Sequence, residues 1–508
     1  MSLAVVPGVF IAFSVAHHFQ LKWATERFKA ELKARGELKE LAQVVPPRIP
    51  PERNSAAQFL AAVDLFATNN NVLTTNWPIG MRGVAPGKAQ VLWQQSFIRD
   101  WGMTNSWEDL AVAVASNKET FNRLLLITNS SKFDFALHYE ERFEMRITSL
   151  VAEKKTVQKL AAKTFSDLRA GQTGPAAENI RVMLALVDGT SDERTAISQL
   201  VRIAIAQIAC ATTWEFLQSS NVTDGQLAEL QADWSRPEFI RAMINVMPLE
   251  QEGAEYEIGK WHRSFKEMRR YEELSKTVSA ALGHFQEEEN FLEKADKYRK
   301  RFLWRYWWSY PDELRYLKGL QVLTDTMRQI AANGVFHDAL ENQDVELDLL
   351  GISKLNSSLD SLFAGKTDYH NMLSESVITL TRLAVKVMSV ETARQVTITA
   401  IALKRFQLKN NRYPPDLDSL VPEFLSVIPT DPVDGKPLNY RLKADGTFLL
   451  YSFGENGKDD GGDPSLEKGV QSSSLYWQNT HALDWVWPQP ATREEIQKYY
   501  DEQAKMSE

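Results

Sequence analysis

The segment Gly457–Asp463, GKDDGGD, sets Asp459, Asp460 and Asp463 among glycines at 457, 461 and 462. Calcium takes about six to eight oxygen ligands and tolerates irregular geometry, so clustered carboxylates on a backbone free to enter left-handed turns suit it. The competing reading is a solvated Asp-Gly turn that holds no ion. Other chemistry-bearing residues are scattered. His284 stands beside Glu287 and Glu288. A di-metal helical bundle needs Glu-x-x-His on two helices plus two further glutamates; here the order is reversed and there is one copy, which reads as a solvated helical face. The eight histidines (17, 18, 138, 262, 284, 337, 370 and 481) show no ligand spacing. Cys210, the single cysteine, lies in IAIAQIACATTW and reads as a small buried hydrophobe; it excludes an internal disulfide and a cysteine-cluster metal site. No Walker loop, G-x-G-x-x-G, H-E-x-x-H or G-x-S-x-G motif occurs.

The elements that must position the acidic loop are legible. Val387, Val390, Ala393, Val396, Ala400, Leu403 and Phe406 recur every three or four residues, predicting a helix with one buried face. Asn410 and Asn411 can take the left-handed terminal position, and Tyr413-Pro414-Pro415 cannot continue the helix. A short amphipathic turn (Leu417, Leu420, Val421, Phe424) leads to the corner Pro429-Thr430-Asp431-Pro432. Strands are predicted at Leu438–Leu442 and Thr447–Phe453 around the hairpin signal Ala444-Asp445-Gly446. A return strand is expected at Leu475–Gln478, with Asp484 beyond it.

This order of helix, Tyr-Pro corner, small sheet and acidic loop resembles the C-terminal globular region of the major pseudopilin of type II secretion, protein G. The residues that carry the resemblance are Leu403–Phe406, Asn411-Arg412-Tyr413-Pro414, Leu417–Leu420, Leu425, Pro429–Pro432, Gly435-Lys436-Pro437-Leu438, and Leu450-Tyr451-Ser452-Phe453-Gly454 before Gly457. They cover roughly a fifth of the chain. The resemblance implies a calcium site after the Leu-Tyr-Ser strand, with Asp460 and Asp463 as the leading ligands, then Asp484 and Asp459. Asn456 stands where the family has an acid, and 464–474 is longer than the family loop. The rest of the chain departs from a pseudopilin: no processing site precedes the first apolar run, and no acid occurs before Glu26. As a whole it resembles large bacterial membrane-anchored proteins that carry this module.

Leu3–Ala16 is uncharged and apolar, shorter than the twenty or so residues of a full span. Extended to Trp23, it is expected to be a membrane anchor; a signal segment and a buried helix are the alternatives. Bases follow it at Lys22, Arg27, Lys29, Lys33 and Arg35, mixed with Glu26 and Glu31. Basic flanks favour the cytoplasmic side, whereas the resemblance places the bulk of the chain outside the cytoplasm, on a single-pass anchor in the cytoplasmic membrane. Val44–Glu52 is proline-rich and reads as a linker, and Asn69–Gly87 as a long loop. Ser106 is expected to cap a helix, and Thr223/Gln226 and Ser235/Glu238 to form capping boxes. The apolar run Leu200–Ala211 reads as a buried core helix because Arg202 and Gln207 interrupt it. In Arg301–Pro311, Trp304, Trp307 and Trp308 are expected on one core-facing side, with a membrane-interface belt as the alternative. Val335–Thr367 reads as loop-rich.

The expected architecture is therefore mostly α: an N-terminal anchor helix (1–23), a helix and proline-rich linker (24–54), a helical bundle or array (55–370), an α+β module of one long helix and a small antiparallel sheet (371–490), and a polar tail (491–508). With 508 residues, a net charge of −8 and no long basic run, the chain is not expected to bind nucleic acid. A membrane and protein partners are expected. Three functions follow in order: a membrane-anchored envelope protein with a structural or interaction role, a soluble or periplasmic helical binding protein, and an enzyme with a site among the helices.

Overall fold

The structure, a computed structural model, describes residues 2–67, 80–100, 103–128, 132–270, 273, 291–352, 371–466 and 482–507. His284, Glu287, Glu288, His370, His481 and the expected return strand Leu475–Gln478 lie outside the described residues, as do 69–79 and 353–367 of the two expected loops. The fold is mostly helical with small sheets.

Three helices, Ser149–Arg169, Thr173–Gly189 and Ala196–Leu217, pack side by side. The middle one buries Ile180, Val182, Met183, Leu184, Leu186 and Val187, residues that point all round it, so it must be enclosed. Among the described residues with placed side chains, Ala196–Leu217 is the one helix long and apolar enough to cross a membrane, yet 72 % of its apolar window is buried within the fold. Arg202 sits inside because its guanidinium donates to Val187 O and, at 3.2 Å, to Gln199 Oε1, and lies over the Phe239 ring.

Against this layer lies the helix Ser374–Asn410, which also packs on Asp224–Trp234 and Ser309–Asn333. Val387, Val390, Ala393, Val396, Ala400 and Leu403 are all buried, as their spacing predicts. Cys210 is buried against the same helix, its Sγ 3.2 Å from Thr397 Oγ1. One contiguous apolar cluster runs from Leu32 to Trp487 and includes both this helix and the small sheet. Phe406 departs from expectation. It is half-buried at the rim, its ring edge-on to Phe424 at 5.7 Å, because the buried stripe has rotated off the core by the last turn. Phe406→Ala is therefore expected to cost about 1–2 kcal/mol by urea unfolding of the full chain, below the roughly 3–5 kcal/mol of a buried phenylalanine.

The helix stops at Asn411, left-handed at φ 54°. Tyr440 Oη donates to Pro414 O at 2.7 Å and Tyr413 meets Phe448 edge-on, which fixes the Tyr-Pro corner. β5 (Asn439–Leu442) pairs antiparallel with β6 (Phe448–Ser452) through a turn in which Asp445 accepts from Thr447 N and Gly446 has φ 80°. β7 (Trp485–Val486) pairs antiparallel with the other edge of β6. The chain then crosses to a second sheet, where β8 (Gln489–Pro490) runs parallel to β2 (Lys88–Gln90), itself antiparallel to β1 (Arg82–Ala85). A third, two-stranded pair joins β3 (Ile98–Asp100) and β4 (Met103–Asn105).

Several local expectations need correction. Part of the expected loop 69–87 is the strand Arg82–Ala85. Val44–Glu52 is strapped to the body: Val44 is buried, and Asp134 accepts from Arg48 Nη1 and Ile49 N, both at 3.1 Å. Ser106 and Thr223 cap their helices as expected. Ser235 instead ends the preceding helix, its hydroxyl donating to Gln231 O, and the next helix starts at Phe239. Within 335–367, His337–Leu349 is a helix with Ala339, Gln343 and Leu347 buried at a spacing of four, after Gly334 in the left-handed position. The polar tail is the helix Arg493–Ser507, in keeping with its charged, polar pattern, and it packs on β1.

Candidate functional site

The acidic loop follows β6 through Gly454, whose φ of 69° and close approach to Leu483 O leave no room for a side chain. Asp459 Oδ1 accepts from Tyr451 Oη and Gly461 N, each at 2.9 Å. Asp460 Oδ2 accepts from Asn456 Nδ2, and Asp463 Oδ1 from Ser465 N, also at 2.9 Å. Asp484 is buried, and its Oδ2 accepts from Gly462 N (2.8 Å) and Asp463 N (3.1 Å). Burial pushes its carboxyl up to about 6, against the pull of those N–H groups, and the nearby Asp460 charge adds to the rise. Asp484 thus meets the loop through backbone N–H groups, while Asp459, Asp460 and Asp463 each close a local turn. Among the described residues no group of three or more His, Cys, Asp or Glu side chains converges as a metal site. The corner residue Asp431 has a larger role than its turn signal implies. Fully buried, it accepts from Val433 N (3.0 Å), Ser452 Oγ (2.8 Å) and Phe453 N (3.2 Å), clamping the corner to β6.

A second arrangement lies at the other end of the molecule. The helix Ser2–Ala34 enters the body through its C-terminal half: Leu32 is buried, and Thr25 Oγ1 donates to Tyr310 O at 3.1 Å. Lys29 Nζ lies 2.8 Å from Glu255 Oε2 and pairs with the buried Glu313. Further toward the N-terminus, His18 Nδ1 is 2.7 Å from Tyr306 O, and its ring stands edge-on to Tyr310. Phe19 and Trp23 are exposed at 61 % and 64 %.

The neighbouring segment Trp304–Trp308 is a π turn between the helices Phe291–Leu303 and Ser309–Asn333. Its extra residue breaks the shared face expected for the tryptophans. Trp304 is buried and donates from Nε1 to Asp312 Oδ2, whereas Trp308 is half-buried and Trp307 exposed. Tyr298, Phe302 and Tyr306 are exposed as well, with Phe302 packed 4.7 Å from Tyr306. Bases attend these rings: Arg27 lies over Trp23, Lys22 is 6.0 Å from the Tyr310 ring, and Arg305 is 5.7 Å from that of Tyr306. Exposed aromatics and cations therefore meet where the apolar stretch Leu3–Ala16 continues the N-terminal helix. The partial exposure of the tryptophan segment was readable only as an alternative, because a π turn has no sequence signature.

No family model, curated protein or solved structure matches the chain.

Proposed function

We propose that this chain is a membrane-anchored protein of the cell envelope that presents a pseudopilin-like C-terminal module for contacts with other proteins. The observation that carries the reading is the exposed aromatic group of Phe19, Trp23, Phe302, Tyr306 and Trp307, set with bases beside the apolar N-terminal stretch. Aromatic rings with one apolar and one polar end favour the headgroup level of a bilayer, and Lys and Arg side chains can reach the phosphates above them. An apolar helix entering the bilayer at that level would rest the helical body on the membrane surface. The module supports the interaction role through its order of helix, Tyr-Pro corner, three-stranded sheet and acidic loop, the order on which the resemblance to protein G rests.

Carbonate washing of membranes tests the anchor. Full-length protein is expected to stay in the pellet, and a variant lacking residues 2–23 to move to the supernatant while keeping its helical circular dichroism. Release of the full-length protein would remove the anchor from the reading. A soluble helical binding protein is the second reading, and a cavity among the helices favours it.

A further inference from the structure

That cavity, of about 410 Å³, opens where the turn Tyr139–Glu144 and the extended residues after it meet the starts of the helices Ser149–Arg169 and Ala196–Leu217 and the middle of Phe239–Arg263. Its size lies within the range of small-molecule sites. Phe143, Met145, Ile147, Ile197 and Leu249 give it apolar walls, and the exposure of Phe143 and Ile197 shows that its mouth reaches solvent.

Two charged side chains line it, and only one is committed elsewhere. Arg142, held at φ 52°, donates Nε and Nη2 to the two oxygens of Glu252 at 3.0 and 2.7 Å and Nη1 to Glu140 O at 2.9 Å. Its guanidinium also lies 3.7 Å over the Tyr256 ring, so its charge is neutralised and its position fixed. Glu250 differs. One of its oxygens accepts from Ala196 N at 2.8 Å, and the other accepts no hydrogen bond among the described residues. Burial raises its carboxyl above the usual range, with the Ala196 N–H acting the other way. Glu250 is half-buried and lines the cavity, so its free oxygen is open to a cation or strong donor that enters through the mouth.

We propose that this cavity binds a small amphiphilic amine, its ammonium paired with Glu250 and its hydrocarbon body against Phe143, Ile147, Ile197 and Leu249. The charge balance selects the class: with Arg142 consumed by Glu252, the site offers an anion an unmet carboxylate and offers a neutral alcohol only a single hydrogen bond. This inference does not depend on the membrane anchor.

Isothermal titration of the full-length protein at pH 7 with n-octylamine, n-octanol and n-octanoate tests it. Octylamine is expected to bind saturably at one site, at least about tenfold tighter than octanol, and octanoate to show no saturable binding. Glu250→Gln should bring octylamine down to the octanol level. Gly253→Leu provides the second variant. A Cβ there meets only the Phe143 ring at 3.4 Å and beyond, so the longer side chain extends into the cavity and should abolish binding of both compounds. Equal affinity for octylamine and octanol, octylamine binding that survives either variant, or no saturable binding at all would overturn the proposal.

Discussion

Glu153→Gln is expected to stabilise the protein by roughly 1–3 kcal/mol at pH 8 and to leave its stability near that of the parent at pH 5. Glu153, on the helix Ser149–Arg169, is buried, and so is Glu193 in the turn before Ala196–Leu217. Burial, with a smaller push from the Glu193 charge, raises the Glu153 carboxyl to about 8 against the pull of Ser149. Glu193, buried beside Ser198, is pushed up to about 7. An unfolded glutamate titrates near 4.3. Both native values lie above it, so the folded state holds more protons than the unfolded chain between those limits. Stability is complete below about pH 4 and is lost as pH rises through 7 and 8. The two protons leave as coupled steps of the pair. Glutamine carries no charge to desolvate or to repel Glu193, so the variant escapes most of the loss. Urea unfolding at pH 5, 6, 7 and 8 should show a shallower decline for the variant than for the parent. Parallel curves would mean that this pair does not set the pH dependence.

Such carboxylates could not be read from the sequence, because helical periodicity assigns a glutamate to the solvent side. Glu153, Glu215 and Glu313 are buried by partners far away in the chain. Glu215, for example, accepts from Met81 N at 2.8 Å and Leu92 N at 3.0 Å, pinning the turns around β1 and β2 to a core helix. What was legible is local. The stripe Val387–Leu403, the left-handed Asn411, the Asp445-Gly446 hairpin and the caps at Ser106 and Thr223 each depend on residues within a turn or two of one another. Sequence and structure part where two local signals compete or a distant partner decides. Ser235 can serve either the helix before it or the one after it. His337–Leu349 looks like a loop by its acids, although a buried stripe of Ala339, Gln343 and Leu347 holds it. The candidate sites follow the same division. The acidic loop is contiguous and legible in the sequence, whereas the burial of Asp484 depends on the fold. The aromatic group joins residues near 20 to residues near 305, and the amine cavity joins four segments between 139 and 253, which no spacing rule connects.

The second large effect is expected at the joint between the N-terminal helix and the body, where Lys29→Met should cost roughly 3–5 kcal/mol at pH 8. Lys29 is the cation between two carboxylates on different helices, Glu255 on Phe239–Arg263 and Glu313 on Ser309–Asn333. Burial pulls its ammonium down, and the Glu313 and Glu255 charges outweigh that pull and raise it. Glu313, with no exposed surface, is pushed up to about 7 by burial, with Lys29 drawing it down and Glu255 raising it again. His262 cannot replace the lost cation. Its Nε2 is 4.0 Å from Glu313 Oε2, and burial, the largest cause, lowers it to about 4 in the parent, with the Lys29 and Arg305 charges adding to the fall; burial still opposes its protonation when Lys29 is gone.

Methionine fills the space of the lysine stem and leaves the buried Glu313 and half-buried Glu255 carboxylates facing each other. Without Lys29 they release protons only at higher pH than in the parent, so the deficit should be largest at pH 8. It should shrink toward pH 6, where Glu313 takes up its proton. The double variant Lys29→Met with Glu313→Gln removes one of the stranded charges and should recover much of the loss, a coupling that two independent sites would not show. Urea unfolding of the four proteins at pH 6 and 8 measures both effects. A single variant as stable as the parent at pH 8, or a deficit that grows as the pH falls, would show that this ion cluster does not hold the N-terminal helix to the body.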